Sequence, residues 1–183
     1  MNPEKNKEID LKICTQCIYD ELVDQITFDQ DGVCNYCHQV DDLIAMYGTG
    51  NSKGKTTFDS YIQEIKKAGK RKKYDVIVGV SGGTDSSFML HLAIKEGLRP
   101  LAVHYDNTWN TSIATQNIHK ITSILNIDLY THVVDNKEAD DIFKAFLNSG
   151  VSEIEASTDL ALAEVMYRAA SKFNVKYIFE GHS

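Results

Sequence analysis

The sequence predicts an α/β protein, a doubly wound parallel sheet carrying a small N-terminal ribbon. Three observations support that expectation. A nearly continuous apolar run over residues 75–80 stops at Ser81-Gly82-Gly83 and resumes from Asp85 with helix-spaced apolar positions. Such a run suits a strand buried on both faces of a parallel sheet. From Tyr74 onward, strand-like and helix-like segments alternate, as βα units do. All four cysteines lie ahead of that region, within the first 37 residues.

The composition bounds the protein class. With 183 residues, 43% of them apolar and 25% charged, the chain suits an ordinary globular protein with a substantial core. No apolar run reaches the roughly 20 residues of a membrane span, and MNPEKNKEID lacks the apolar segment of a signal peptide. A cytoplasmic protein without a membrane span is therefore expected. A net charge of -7 argues against global attraction to nucleic acid but leaves a local patch open.

Taken in order, the first element is the cysteine pair Cys14 and Cys17, sixteen residues before Cys34 and Cys37. Two C-x2-C knuckles at this separation predict a zinc ribbon, with residues 25–28 as a short strand and Gln30-Asp31-Gly32 as a turn. Four thiolates close the coordination sphere, so the Zn2+ is expected to be structural. An iron–sulfur cluster is the alternative, because four cysteines can hold either. Disulfides are disfavoured in a cytosolic chain. His38 is a neighbour of the knuckle and a substitute ligand at most.

Residues 39–73 read as a connector with one helix. The stretch 48–56 resembles a Walker loop, but Thr49 occupies the position of the first glycine, so a flexible linker is expected there. Phe58, Tyr61, Ile62 and Ile65 mark a docking helix. The basic run from Lys66 to Lys73 is read as helix C-terminal charge, with a nucleic-acid patch as the sharper alternative.

Next come the motif strand and its helix, which ends near Gly97. A strand over 100–105 and a helix through Ile113, Ile118, Ile121 and Leu125 follow. A third strand covers 129–134, and helices are expected near 140–147 and 159–173. A last strand covers 175–180. Ligands of such sheets gather at the carboxyl ends of the strands, here Ser81, Asp106, Asp135 and Gly181. Stopping at a strand end predicts that the chain is the front of a longer protein.

The loop Ser81-Gly82-Gly83-Thr84-Asp85-Ser86 resembles the SGGxDS signature of the PP-loop ATP pyrophosphatases, which cut ATP between its α and β phosphates. The wider pattern is similar to the N-acetyl sugar amidotransferases of surface-polysaccharide (lipopolysaccharide) biosynthesis. It includes both cysteine pairs, residues 26–34, Ile154-Glu155-Ala156-Ser157-Thr158-Asp159 and the helix 163–170. Thr84 departs from the lysine common in that family, and Gly181-His182-Ser183 departs from its usual Gly-x-Asn.

That resemblance implies a zinc-ribbon region over 1–42, a linker and docking helix over 43–73, and an ATP-binding domain over 74–183 that is incomplete at its C-terminus. It implies ATP held by Ser81, Gly82, Gly83, Thr84, Asp85, Ser86 and Ser87; the stretch from His104 to Asp106, and Gly181, join the pocket by their position at strand ends rather than by the motif. Asp85 would hold Mg2+ and act catalytically, and Glu155 and Asp159 would orient the sugar or a second metal. For those two acids, simple stabilisation of a helix dipole is the competing reading. The implied substrate is an N-acetylated sugar or nucleotide sugar, and the ammonia comes from a glutaminase subunit. A tRNA thiolation enzyme and a non-catalytic adenine-nucleotide module are the alternatives. His91, His119 and His132 read as ordinary core or surface histidines.

Overall fold

A computed structural model describes residues 10–180. The chain divides into two compact units, Met1–Ser60 and Tyr61–Ser183.

In the first unit the two knuckles are linked by little regular structure. Isolated antiparallel bridges join Ile13 to Asp20 and Phe28 to Cys34. The strand expected over 25–28 is absent because Gln25 adopts φ 55, which breaks the extended run. Helix α1 (Asn35–Tyr47) starts on the second knuckle and ends at Gly48, whose φ of 71 suits a left-handed cap. The expected flexible linker is also corrected. Helix α2 (Ser52–Gly69) begins inside it, and the Asn51 side chain accepts the Lys53 amide at 2.9 Å, an N-cap contact. The connector thus holds two helices, not one, and Gly54 and Lys55 are helical.

The second unit contains the sheet. Strands β1 (Val76–Gly79), β2 (Pro100–Asp106), β3 (Leu129–Val133) and β4 (Tyr177–Phe179) are all parallel, in the order β3-β2-β1-β4. The chain moves outward from β1 to β3 and then crosses to the far side of β1. This puts the topological switch point between β1 and β4. The crossovers are α3 (Thr84–Lys95), α4 (Ser112–Leu125) and the pair α5 (Asn136–Ser149) and α6 (Ala156–Lys172).

Side chains alternate across the sheet. Ile77, Leu101 and Val103 bury against Val165, Met166, Ala169 and Ala170 of α6. Tyr74 and Tyr130 both stack edge-on to Phe173 at the end of this core. Val76, Val78 and Ala102 take the other parity, and α3 and α4 bury Leu90, Ala93 and Ile118. Each large aliphatic side chain removed from water in this way contributes about 1.5–3 kcal/mol.

Two expected boundaries shift. α5 starts at Asn136 rather than near 140, because the Asp135 carboxylate caps the amides of Lys137 and Glu138. α6 starts at Ala156, so Ser157, Thr158 and Asp159 form its first turn. No helix among the described residues is long and apolar enough to cross a membrane.

Candidate functional site

The thiol cluster belongs to the first unit. The Sγ atoms of Cys14, Cys17, Cys34 and Cys37 all lie within 4.8 Å of one another. Cys14 and Cys37 are 3.9 Å apart, and Cys17 and Cys34 are 3.8 Å apart. A tetrahedral site with Zn–S bonds of about 2.3 Å has an S–S edge of about 3.8 Å. All four thiols are free, and these separations far exceed the roughly 2.05 Å of a disulfide. They suit a single ion better than a multi-iron cluster, whose bulk would spread the thiols apart.

The backbone is also arranged for thiolates. Amides of Gln16 and Cys34 donate to Cys14 at 3.4 and 3.2 Å, and Tyr19 donates to Cys17 at 3.5 Å. Burial pushes the Cys14 thiol up, but hydrogen bonds from Gln16, Cys17 and Cys34 outweigh it and bring it down to about 6, whereas burial and the neighbouring thiols push Cys37 up. Beside the cluster, His38 Nε2 lies 2.8 Å from the Asp29 carboxylate. That carboxylate also accepts the amides of Asp31 and Val33, so the pair fixes the turn before Cys34.

The second unit holds a cavity of about 250 Å³ at the carboxyl ends of β1 and β4. Its walls are Gly79, Val80, Ser81, Ser86, Met89, His104, Tyr105, Asn107, Asn110, Thr158, Asp159, Leu162, Met166 and Glu180. The loop at its mouth is folded by its own hydroxyls. Ser86 Oγ accepts the Ser81 amide and donates to the Gly83 carbonyl, both at 3.3 Å. The Ser87 hydroxyl donates to the same carbonyl at 2.8 Å. Gly83 sits at the N-cap of α3 and offers that helix no side-chain cap. The first amides of α3 are thereby left to meet an anion.

Gly82 is needed for two reasons. Its φ is 82, and a Cβ there would run into the backbone of Ala114 in α4. Asn117 of α4 donates to the Gly82 carbonyl at 3.1 Å, so α4 clasps the loop from behind. Neither Ala114 nor Asn117 carried a sequence signal.

His104 is buried, and its Nδ1 is 2.9 Å from the Val80 carbonyl. A carbonyl only accepts, so Nδ1 carries a proton and donates to it. Nε2 faces the Asn110 amide at 3.5 Å, and that amide also reaches Asp106 at 3.4 Å. Tyr105 lies beside it, its phenol pushed up by burial.

Of the residues singled out from sequence, Ser81, Ser86, His104 and Asp159 meet in this cavity. Gly82 and Gly83 shape the loop without lining the cavity. Thr84 and Asp85 stand exposed on the first turn of α3, and Ser87 is committed to Gly83. The Asp106 carboxylate holds the Thr108 amide at 2.8 Å. Glu155 is exposed at the start of α6, outside the cavity walls. Gly181 lies outside the described residues. Sequence reasoning missed Met89, Asn107, Asn110, Thr158, Leu162, Met166 and Glu180, whereas Tyr105 falls inside the stretch 104–106 expected to line the pocket. Asn107 and Asn110 had one available signal, their position just after a strand end. Of the three histidines read as ordinary, His132 lines a second cavity, of about 220 Å³, beside Tyr105, Asp135 and Arg168.

The profile of the phosphoadenosine phosphosulfate reductase domain matches residues 75–182, which include the phosphate-type loop and the cavity. No curated protein sequence matches the chain. Among solved structures, similarity extends to an NH3-dependent NAD synthetase from Campylobacter jejuni at 17% identity and TM-score 0.50, over 69% of this chain and 55% of that one. A glutamine-dependent NAD+ synthetase from Acinetobacter baumannii matches at 16% identity and TM-score 0.50, over 68% of this chain and 23% of that one. An NMN synthetase from Francisella tularensis matches at 23% identity and TM-score 0.44, over 64% of this chain and 52% of that one. The chain thus spans about half the length of two of these proteins and less than a quarter of the third. At these identities the likeness is one of fold.

Proposed function

Because the chain belongs to the phosphoadenosine phosphosulfate reductase domain family, within the PP-loop ATP pyrophosphatase superfamily, we propose that it is the ATP-using part of an amidotransferase acting on an N-acetylated sugar. The observation that carries this reading is the cavity at the β1/β4 switch point. Its walls bring Ser81 and Ser86 of the loop together with Asp159 of α6 and Glu180 after β4.

In this reading the nucleotide lies with its phosphates at the loop and the uncapped start of α3, and with its base toward Met89, Leu162 and Met166. The acetamido oxygen of the sugar attacks the α phosphorus. The bond to the β-phosphate oxygen breaks, and pyrophosphate leaves. Ammonia adds to the resulting imidate carbon and AMP departs, leaving an amidine. Asp159 and Glu180 line the cavity, and Asp85 follows the loop on the first turn of α3. Asp85 would hold Mg2+, which keeps one or two carboxylates beside phosphate oxygens and would offset charge on the departing pyrophosphate. His104, fixed through Nδ1 on the Val80 carbonyl, sets Asn110 beside the cavity through its Nε2 contact. Glu155 remains a candidate for orienting the sugar. The four thiols would hold one structural Zn2+.

The ammonia is proposed to come from a glutaminase partner, since all four cysteines are committed to the cluster. The test supplies ATP, Mg2+ and an N-acetylated sugar with either ammonium or glutamine, and follows the sugar by mass spectrometry. Replacement of the acetyl oxygen by NH with ammonium, and not with glutamine alone, supports the reading. A sugar left unchanged with ammonium would refute it, and a parallel reaction with tRNA and a sulfur donor that yields thiolated tRNA would support the thiolation alternative.

A further inference from the structure

Beside the nucleotide cavity lies a smaller one whose walls include Tyr105, Asn107, Trp109, Phe143, Ser157 and Thr158. Tyr105, Asn107 and Thr158 are shared between the two, so the spaces meet along one rim. Trp109 and Phe143 stand edge to face, 4.7 Å between centroids and 86° between planes, and form an aromatic corner. Trp109 remains 49% exposed, which leaves indole surface open to a ligand.

The segment that presents Trp109 is held in a strained conformation. Thr108 has φ 66, which is costly for a β-branched residue. Side chains fix it on both sides. Asp106 accepts the Thr108 amide at 2.8 Å, and Asn107 Oδ1 accepts the Trp109 amide at 3.1 Å. With its oxygen so occupied, Asn107 has its Nδ2 group to offer a ligand. Ser157 and Thr158 add hydroxyl-bearing residues to the lining.

We infer that this corner is the acceptor subsite and that the uncharged pyranose ring of an N-acetylated hexosamine lies across the mouth of this recess of about 60 Å³, stacked on the exposed surface of Trp109. The inference rests on the function proposed above. None of the described residues lining the small cavity carries a charge, so a phosphate or sulfate gains nothing there. A pyranose has one face of C–H groups that suits the negative face of an aromatic ring, and hydroxyls that suit an amide and two Ser/Thr hydroxyls. From that position, substituents of the ring cross the rim at Asn107 and Thr158 toward the nucleotide cavity.

Trp109 is the only tryptophan in the chain, so its emission reports on this corner alone. The probe is methyl N-acetylglucosaminide, with its uronic acid counterpart as a second arm, titrated in the presence of ATP–Mg. Saturable quenching or a blue shift is expected. Trp109→Ala should weaken sugar binding, read by saturation-transfer NMR, by up to about tenfold, the loss of one aromatic contact. Trp109→Phe should restore most of it, and ATP–Mg should protect all three proteins equally against heat. Amidination by the wild type with unaltered sugar binding in Trp109→Ala would overturn the subsite and spare the proposed function. Neither binding nor amidination of either sugar by the wild type would overturn both.

Discussion

The imidazole of His104 donates through Nδ1 to the carbonyl oxygen of Val80 across 2.9 Å, tying the end of β2 to the base of the phosphate-type loop. Both residues are buried, so the bond has no solvent substitute. His104→Phe would leave the Val80 carbonyl unsatisfied, at a cost of about 1–3 kcal/mol. Urea denaturation should show that loss, together with weaker thermal protection by ATP–Mg. Full stability in the variant would mean that the bond does not anchor the loop.

Gly82 and Gly83 are adjacent but not equivalent. Gly82 has φ 82 and backs onto Ala114, whereas a Cβ on Gly83 would meet only Ser81 Oγ at 3.4 Å. Gly82→Ala should cost more than about 1 kcal/mol and abolish nucleotide protection. Gly83→Ala should remain within about 0.5 kcal/mol of the parent. Calorimetry with and without ATP–Mg separates the two.

Asp75 is buried at the amino end of β1, away from the cavity, where Arg99 reaches it through Nη2 at 2.7 Å and through its amide at 2.8 Å. Burial pushes the Asp75 carboxyl up, but the Arg99 hydrogen bonds outweigh it and hold it below its ordinary value. A carboxyl depressed on folding stabilises the native state above the unfolded value of about 3.9 and loses that contribution as pH falls through the folded value. Asp75→Asn should therefore flatten the acid limb of the stability curve below about pH 4. At neutral pH it should cost about 2 kcal/mol, less than for a deeply buried pair because half of Arg99 meets solvent. Gly69→Ala should also destabilise, since its Cβ would run into that carboxylate.

The thiol separations predict one metal ion per chain in all-sulfur coordination. Cobalt substitution should give the thiolate charge-transfer bands of a tetrahedral site. Cys34→Ser should lower metal content and ribbon stability together, because metal binding and folding are coupled in such modules. Multiple irons per chain would contradict the single-ion geometry.

The sheet was legible because residues 75–80 and 100–105 are apolar runs bounded by glycine, proline and acid signals, and the cysteine spacing announced the thiol cluster. The loop Ser81–Ser86 was legible as a motif, since its geometry is local. What escaped was non-local or set by capping. The α2 start depends on the Asn51 cap, and the α5 start on the Asp135 cap. The clasp by Ala114 and Asn117 requires α4 to pack behind the loop, and no spacing records that. Met166 and Glu180 reach the cavity only because β4 crosses back beside β1, a consequence of topology rather than of pattern.

The central claim is that the β1/β4 cavity directs cleavage of ATP between its α and β phosphates onto an acetylated sugar. Phosphorus NMR of ATP–Mg with ammonium, with and without that sugar, tests it most directly. The account predicts AMP and pyrophosphate in equal amounts, only when the sugar is present, and their loss in Ser81→Ala and Asp159→Asn. ADP and inorganic phosphate as products, or turnover unchanged in both variants, would contradict it.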